Sequence, residues 1–582
     1  MSFKSIHKYI FPFAILLSTT FIANESLAQK SSSRKSKKQQ KKEAMADRLF
    51  IEGEKHMMLE DFEKAYFYFG KAHELTPNAG AINFKLAEIL SRANQNEDAL
   101  EYGQKAIAAD PNNKYYHLLV AEVYTKQNQP EKAAEILKSL IESSDKNQQY
   151  ILELASIYLG TQQFDKALQA LDEAEEYYGV LEQLSVQKQR IYLRNNDLGS
   201  AVKEGEKLIE ANPGNSRYVL ALVEMLFNNN RTDQALAVVQ KSLKEYPNQG
   251  DLNLASYTLL KKKGEINEAQ VQLYKGFDNP DLEGKVKAQT YSDIIQKDLK
   301  TQERENLLDS LGQLMILRNP KDAEVYSVLG DRALFNKKNE TALSYYQKSI
   351  SLNQNDPKVL QSIISLMFEL GKDFEEIEKY TTIGVDVFEE KPEFWFFHGT
   401  TKLALNKHKE AEQSLLKSQE LNKGLNNQLD LMIMGQLGDT YHALDKNEEA
   451  YATYDSILKQ TPNDEHVLNN YAYFLSLEKK DLQKAFKMSN TLVKQFPNNA
   501  TYLDTHAWVL FQMENYEQAK IYMERALDNE EEPSGVMLEH YGDILFHLGE
   551  KNEALKYWKK ALSLNDISEV LNKKIKDIKY YE

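Results

Sequence analysis

"ENYEQAKIYMERAL", residues 514–527, sets Ala519 and Ala526 seven residues apart among tyrosines, charges and a leucine. On a helix that spacing keeps both alanines on one face, two turns apart. Versions of the same stretch return along the chain. Alanines stand at 65, 99, 133, 167, 201, 235 and 269, each 34 residues after the last. Leu308, Ala342, Ile377, Ala411, Ala450, Ala485, Ala519 and Ala554 continue the series at steps of 34 or 35, except for steps of 39 before Leu308 and Ala450. Self-similarity at such a period marks an array in which each unit buries its apolar face against its neighbours. Fifteen units are counted.

Each unit carries further markers. Twelve residues before the key alanine a small residue recurs, as in Gly53/Ala65, Ala87/Ala99, Ala121/Ala133, Ala155/Ala167, Gly330/Ala342, Gly399/Ala411, Gly438/Ala450, Ala507/Ala519 and Gly542/Ala554. Two antiparallel helices joined by a short turn approach closely only where both lack bulky side chains, and a gap of twelve places one small residue on each. Seven residues after the key alanine come Ala72, Ala106, Ala174, Ala526 and Ala561, and twelve after it Pro77, Pro111, Pro213, Pro247, Pro320, Pro462 and Pro497 close the helix. The pattern resembles the tetratricopeptide repeat, a helix–turn–helix unit with small residues at positions 8, 20 and 27 and proline at 32, over about Met45 to Asp566. The resemblance implies an all-α, right-handed superhelical solenoid of about fifteen repeats. Gln189, Val223, Tyr257, Gln296 and Ile364 fall at the small position, which predicts splayed pairs or a shifted register there. The two steps of 39 fall in "GFDNPDLEGK" (276–285) and "LNKGLNNQLD" (421–430), read as longer loops that divide the array into blocks 45–280, 281–425 and 426–566. Val570, Leu571, Ile575 and Ile578 share one face of a capping helix over 567–582.

The chain of 582 residues has 42% apolar residues, which is incompatible with disorder throughout, and its 24 glycines and 13 prolines are too few for many short strands. It has no cysteine, which excludes a disulfide framework, cysteine-ligated zinc, a thiol nucleophile and a lipoprotein anchor. Lys4 and Lys8, the apolar run Tyr9 to Ala23, and Ser26 and Ala28 form a signal peptide over 1–28, cleaved after Ala28. The basic run "KSSSRKSKKQQKK" (30–42) lies in a disordered linker, 29–44, suited to peripheral contact with an anionic membrane or polymer. Its charge opposes translocation, so an uncleaved anchor with cytoplasmic repeats stays open beside export to the periplasm or outer membrane. Without residues 1–42 the net charge is −23, a poor match for nucleic acid.

No phosphate-binding glycine loop, metal-spaced histidine cluster or nucleophile elbow is present, so the sequence predicts no enzyme, cofactor or metal. His540 and His547, seven apart, are too far apart along a helix to share one metal. In the family the first helix of each repeat lines a concave groove through positions 2, 5, 6, 9, 12 and 13. That scheme collects Asn470, Tyr473, Trp508, Phe511, His540, Phe546 and His547 as an aromatic docking surface for partner proteins or extended peptides, or for envelope polysaccharide or peptidoglycan. Trp395 and Trp558 fall at packing positions. A polar stripe of Gln183, Gln187, Arg190, Arg194 and Arg217 is suited to a carboxylate. Asn470 matches one position of the family's carboxylate clamp without its flanking lysines. The expected function is an exported scaffold for assembling, secreting or exporting envelope components.

Overall fold

The computed structural model describes residues 37–143, 148–564 and 567–581. Among the described residues every regular element is a helix, and thirty of the thirty-one form fifteen consecutive pairs. Six pairs make one compact unit, ending at Pro247: α1 (Lys37–Met58) with α2 (Phe62–Leu75), α3 (Gly80–Arg92) with α4 (Asn96–Ala109), α5 (Lys114–Lys126) with α6 (Pro130–Ser143), α7 (Gln148–Gly160) with α8 (Phe164–Tyr178), α9 (Glu182–Arg194) with α10 (Leu198–Ala211), and α11 (Ser216–Asn228) with α12 (Thr232–Glu245). A second unit begins at Asn248: α13 (Gly250–Lys263) with α14 (Ile266–Asp278), α15 (Gly284–Lys297) with α16 (Gln302–Arg318), α17 (Ala323–Phe335) with α18 (Asn339–Leu352), α19 (Pro357–Glu369) with α20 (Phe374–Val387), α21 (Pro392–Ala404) with α22 (His408–Asn422), α23 (Asn427–Ala443) with α24 (Asn447–Gln460), α25 (Glu465–Leu477) with α26 (Leu482–Gln495), α27 (Ala500–Gln512) with α28 (Tyr516–Asp528), and α29 (Gly535–His547) with α30 (Lys551–Ala561), closed by α31 (Leu571–Asp577). The fold is the all-α solenoid that the period implies.

Local chemistry sets the pair. Between its two helices sits a turn of two to four residues, and in fourteen of the fifteen pairs at least one turn residue is left-handed, including Asn94, Asn128, Asn196, Asn230 and Asn406 and Gly264, Gly371 and Gly549. Asparagine and glycine adopt that conformation at least cost, and the turn returns an N–H to the first helix, as from Gln95 to the Leu90 carbonyl at 2.8 Å. Each of the seven prolines stands two residues past a helix end. All fifteen residues of the key series are at most 2% exposed, because they lie where the second helix presses on the first and on the next pair.

The crossing of each pair follows a rule of complementary size. Gly53 faces Phe69, Gly330 faces Tyr346, Gly438 faces Tyr454 and Gly542 faces Trp558, and a β-carbon on any of these glycines would lie 2.4–2.6 Å from the ring. At Gln189 the first helix is bulky and the glycine stands on the second: a β-carbon on Gly205 would lie 3.0 Å from the Gln189 side chain. The pairs α11–α12, α15–α16 and α19–α20, which hold Val223, Gln296 and Ile364, approach least closely of all, as a splayed crossing implies, whereas α9–α10 and α13–α14 stay close. At α15 the register is shifted: Tyr291, not Gln296, meets the partner helix, opposite Gly312, and donates to the Leu308 carbonyl at 3.0 Å.

The longer steps do not make longer loops. Residues 279–283 and 423–426 are five- and four-residue connections, and the extra residues instead lengthen α16 and α23 to 17 residues each. Thr301 and Asn426 cap those helices early, accepting from the Arg304 N–H at 3.2 Å and the Gln428 N–H at 3.1 Å. The two compact units divide after Pro247. The signal peptide and linker residues up to 36 lie outside the described residues; from Lys37 to 44, where disorder was expected, the chain is the start of α1. "KKQQKKEAMA" holds only good helix formers, without glycine, proline or β-branching. The capping helix is shorter than expected. Leu571 is fully buried and Ile575 packs on the core, but Ile578 is left-handed, ends α31 and is exposed.

Candidate functional site

First helices of neighbouring pairs touch through fixed positions, and the last three pairs show how. Trp508, ninth in α27, stacks on His540, sixth in α29, with ring centres 3.9 Å apart, and on Phe511 at 4.6 Å. His540 Nδ1 lies 3.0 Å from Asp504 of α27. His547, last in α29, packs on Phe511 at 5.1 Å and on Tyr516, first in α28, at 4.8 Å. Beyond α31 the left-handed Ile578 turns the chain so that Tyr580 reaches Phe511 at 5.8 Å and His547 at 4.8 Å.

The structure thus brings most of the predicted aromatic residues together, but it closes them. Trp508, Phe511 and His540 are buried, at 6%, 4% and 6% exposure, and belong to the core of α27–α30 rather than to a free groove wall. The cause is coverage: α29 seals Trp508, and the tail residue Tyr580 lies over Phe511. Tyr473 and Phe546 are half-buried, and His547 is exposed. Asn470 donates to Asp439 at 3.0 Å, beside His466 at 2.8 Å from the same carboxylate, so its amide serves the stacking of α25 on α23. Trp558 is fully buried, and Trp395, half-buried, donates to the Glu389 carbonyl at 2.8 Å.

The polar stripe lies in the other unit. Arg190 and Arg194 are exposed on α9, and Arg217 reaches back to Glu182 at 2.6 Å. Gln183 is exposed and accepts from Gln148 at 3.1 Å, and Gln187 is half-buried. Beneath them Lys188 is buried, 2.5 Å from Asp172, next to Glu175 and with Glu204 at 3.9 Å. Despite its burial, these carboxylates hold its ammonium above the usual lysine range. They turn the inner edge of the stripe into an internal ion-pair network.

Two buried polar groups were not legible as functional. Lys287 is wholly buried and donates to the Asn279 carbonyl at 2.6 Å and to Asn319 at 2.5 Å; burial lowers its pKa to about 8. With its amine spent on those oxygens, it fastens the α14–α15 connection and offers solvent no nucleophile. At the carboxy terminus Lys574 donates to Glu539 at 2.8 Å and to Asp543 at 2.7 Å, while the Ser568 N–H donates to Glu539 at 3.0 Å. Asp543 also accepts from Trp558 at 2.9 Å. Desolvation raises Asp543 to about 6, whereas its Lys574 and Ser568 hydrogen bonds outweigh burial at Glu539 and hold that carboxylate below its usual range.

Three pairs share a Gly-Asp step: Gly330-Asp331, Gly438-Asp439 and Gly542-Asp543. The glycine admits the ring of Tyr346, Tyr454 or Trp558, and the ring's polar hydrogen goes to the aspartate that follows. That signal was readable as Gly-Asp twelve residues ahead of the key alanine with a polar aromatic residue four after it.

Comparison with known proteins agrees with this construction. Models described as tetratricopeptide repeat match residues 56–123, 190–250 and 505–566, and a model described as anaphase-promoting complex, cyclosome, subunit 3 matches residues 92–174. No curated protein sequence matches the chain. Among solved structures, a chain of the Naa15/Naa10 structure bound to HypK-THB is 14% identical, covering 93% of this chain and 92% of that one with a TM-score of 0.42. A chain of the APC/C hetero-tetramer Cut9-Hcn1 is also 14% identical, covering 92% and 96%, with a TM-score of 0.28.

Proposed function

We propose that this chain, which is a tetratricopeptide-repeat protein, is a non-catalytic scaffold of the bacterial cell envelope that holds other proteins along the first helices of its repeats. The observation that carries the reading is the repeat itself: within each compact unit the helix pairs spend their chemistry on one another and leave first-helix side chains as the surface on offer. Among the buried ionisable groups, Lys188, Lys287, Lys574, Glu539 and Asp543 are each tied into packing rather than converging on an open site. No helix among the described residues is long and apolar enough to cross a membrane. Export and an envelope location are supported by the amino-terminal segment Lys4 to Ala28, and contact with anionic lipid or polymer by the basic residues 30–42. The partners on this reading are envelope components under assembly, secretion or export.

The test is cell fractionation followed by affinity purification of the tagged chain after mild crosslinking. A reproducible set of envelope proteins, recovered from the membrane or periplasmic fraction, is the expected result. Recovery of the chain in the cytosol would end the envelope reading, and recovery of polysaccharide without protein would end the scaffold reading in favour of a glycan-binding module.

A further inference from the structure

The covered aromatic cluster of the last pairs has an open counterpart in the middle of the second unit. α19, α21, α27 and α29 each have thirteen residues, so their positions correspond one to one. Phe511, twelfth in α27, touches the first residue of its second helix, Tyr516, at 5.4 Å; Phe368, twelfth in α19, touches the first residue of α20, Phe374, at 6.2 Å. The sixth residue of the following first helix joins each cluster, as His540 at one site and as Phe397 at the other, 6.3 Å from Phe368. Two positions differ. Where Trp508 and His547 fill the carboxy-terminal cluster, Ser365 and Ala404 stand in the middle one, and both are exposed.

Those two truncations leave a shallow recess with Phe368 and Phe397 half-buried at its base and Phe374 exposed at its wall. Thr400 shares a face of α21 with Phe397 and Ala404, and its hydroxyl has no hydrogen-bond partner. The rim is acidic: Glu369, Asp373, Glu375 and Glu376 are all exposed. In the last pairs the chain's own tail adds a further ring to the cluster. Tyr580 lays its ring on Phe511 and His547, six residues after Lys574, whose ammonium sits between two carboxylates.

The geometry points to the Phe368–Phe374–Phe397 recess as a docking site for a tyrosine carried on an extended, lysine-rich segment of a partner protein. This rests on the scaffold reading and gives it a place and a partner chemistry. The guest ring fills the space over Ser365 and Ala404, and its lysines face the acidic rim.

A labelled peptide of residues 568–582, which carries this chemistry, serves as the probe against the full chain by fluorescence anisotropy. Saturable binding is expected, weakened by roughly tenfold or more by Ala404→Trp, which fills the recess, and by Phe374→Ser, which strips its wall. A peptide with both tyrosines replaced by alanine should not bind. Phe374 and Ala404 are exposed, and circular dichroism confirms that the variants fold. Absence of saturable binding, or binding unchanged by both variants, overturns the proposal. So does binding lost in His547→Ala but kept in Phe374→Ser, which would mean exchange with the resident tail. If the peptide fails while the tagged chain still recovers its envelope proteins, the recess falls and the scaffold stands; loss of those proteins in the wild-type chain is the separate failure of the function itself.

Discussion

At the scale of residues the fold is decided where two helices of a pair cross, and at most crossings one side is small. Adding a β-carbon to Gly438 puts it 2.4 Å from the Tyr454 ring, which is fully buried and cannot swing away. Gly438→Ala should therefore destabilise the second unit by about 1–3 kcal/mol. Gly438→Ala combined with Tyr454→Leu recreates the alanine–leucine crossing of Ala155 and Leu171, and should recover part of that loss, visible as a coupling energy in a double-mutant cycle by urea denaturation. Additive effects would show that the ring does not set the crossing. Gly70 supplies the contrast: it lies inside α2 with no atom within 4 Å of where an added β-carbon would sit, and Gly70→Ala should stabilise by about 0.5–1 kcal/mol through helix propensity alone. Much of this was open to the sequence. The key alanines, the proline stops and nine small positions were legible because each depends on a residue type at a fixed distance. The compensating glycines Gly205 and Gly312 were missed because compensation is a relation between two positions, and a search for one small position sees only half of it.

At the scale of elements, helix lengths depart from the period where caps move. The steps of 39 residues were visible, but glycine and asparagine around them suggested loops; Thr301 and Asn426 instead start α16 and α23 early. The burial of Trp508, Phe511 and His540 was illegible for a similar reason. A position in the repeat says which way Trp508 points, not that His540, 32 residues on, and the tail will cover its neighbourhood. The latch that holds this tail down is titratable. Asp543, raised to about 6, binds its proton more tightly folded than unfolded, so its contribution is fully present below the unfolded carboxylate range and is lost as pH rises through about 6. Glu539, held low, acts in the opposite sense, and its contribution is lost only as pH falls below the usual glutamate range. Between those limits the two coexist. Hydrogen exchange of α31, corrected for intrinsic rates, should show roughly tenfold more protection near pH 5 than at pH 7. Asp543→Asn keeps an oxygen for Trp558 and Lys574 but cannot ionise, and should flatten that dependence. An unchanged slope in the variant would assign the titration elsewhere.

At the scale of the whole molecule the repeat makes stability a sum over neighbours, and such arrays unfold in one step only while every neighbour contact is strong enough to bind the units into a single cooperative block. The compact units of this chain meet at 247/248, and each apolar cluster of buried residues lies within one of them: those around Ala65, Ala99 and Leu171 in the first, those around Tyr346, Leu415, Tyr454 and Trp558 in the second. The chain should therefore unfold in urea through two transitions. A pair of glycine substitutions assigns them. A β-carbon on Gly103 would meet Val120 at 2.6 Å in the first unit, and one on Gly542 would meet Trp558 at 2.4 Å in the second. Gly103→Ala should lower the midpoint of one transition and Gly542→Ala that of the other, each leaving its counterpart in place, when helicity and tryptophan fluorescence are followed together. All three tryptophans, 395, 508 and 558, lie in the second unit, so fluorescence reports that unit alone while helicity reports both. Coincident curves from the two probes, shifted equally by either substitution, would instead make the fifteen pairs one cooperative body, with the tail latch and the crossing glycines contributing to a single stability.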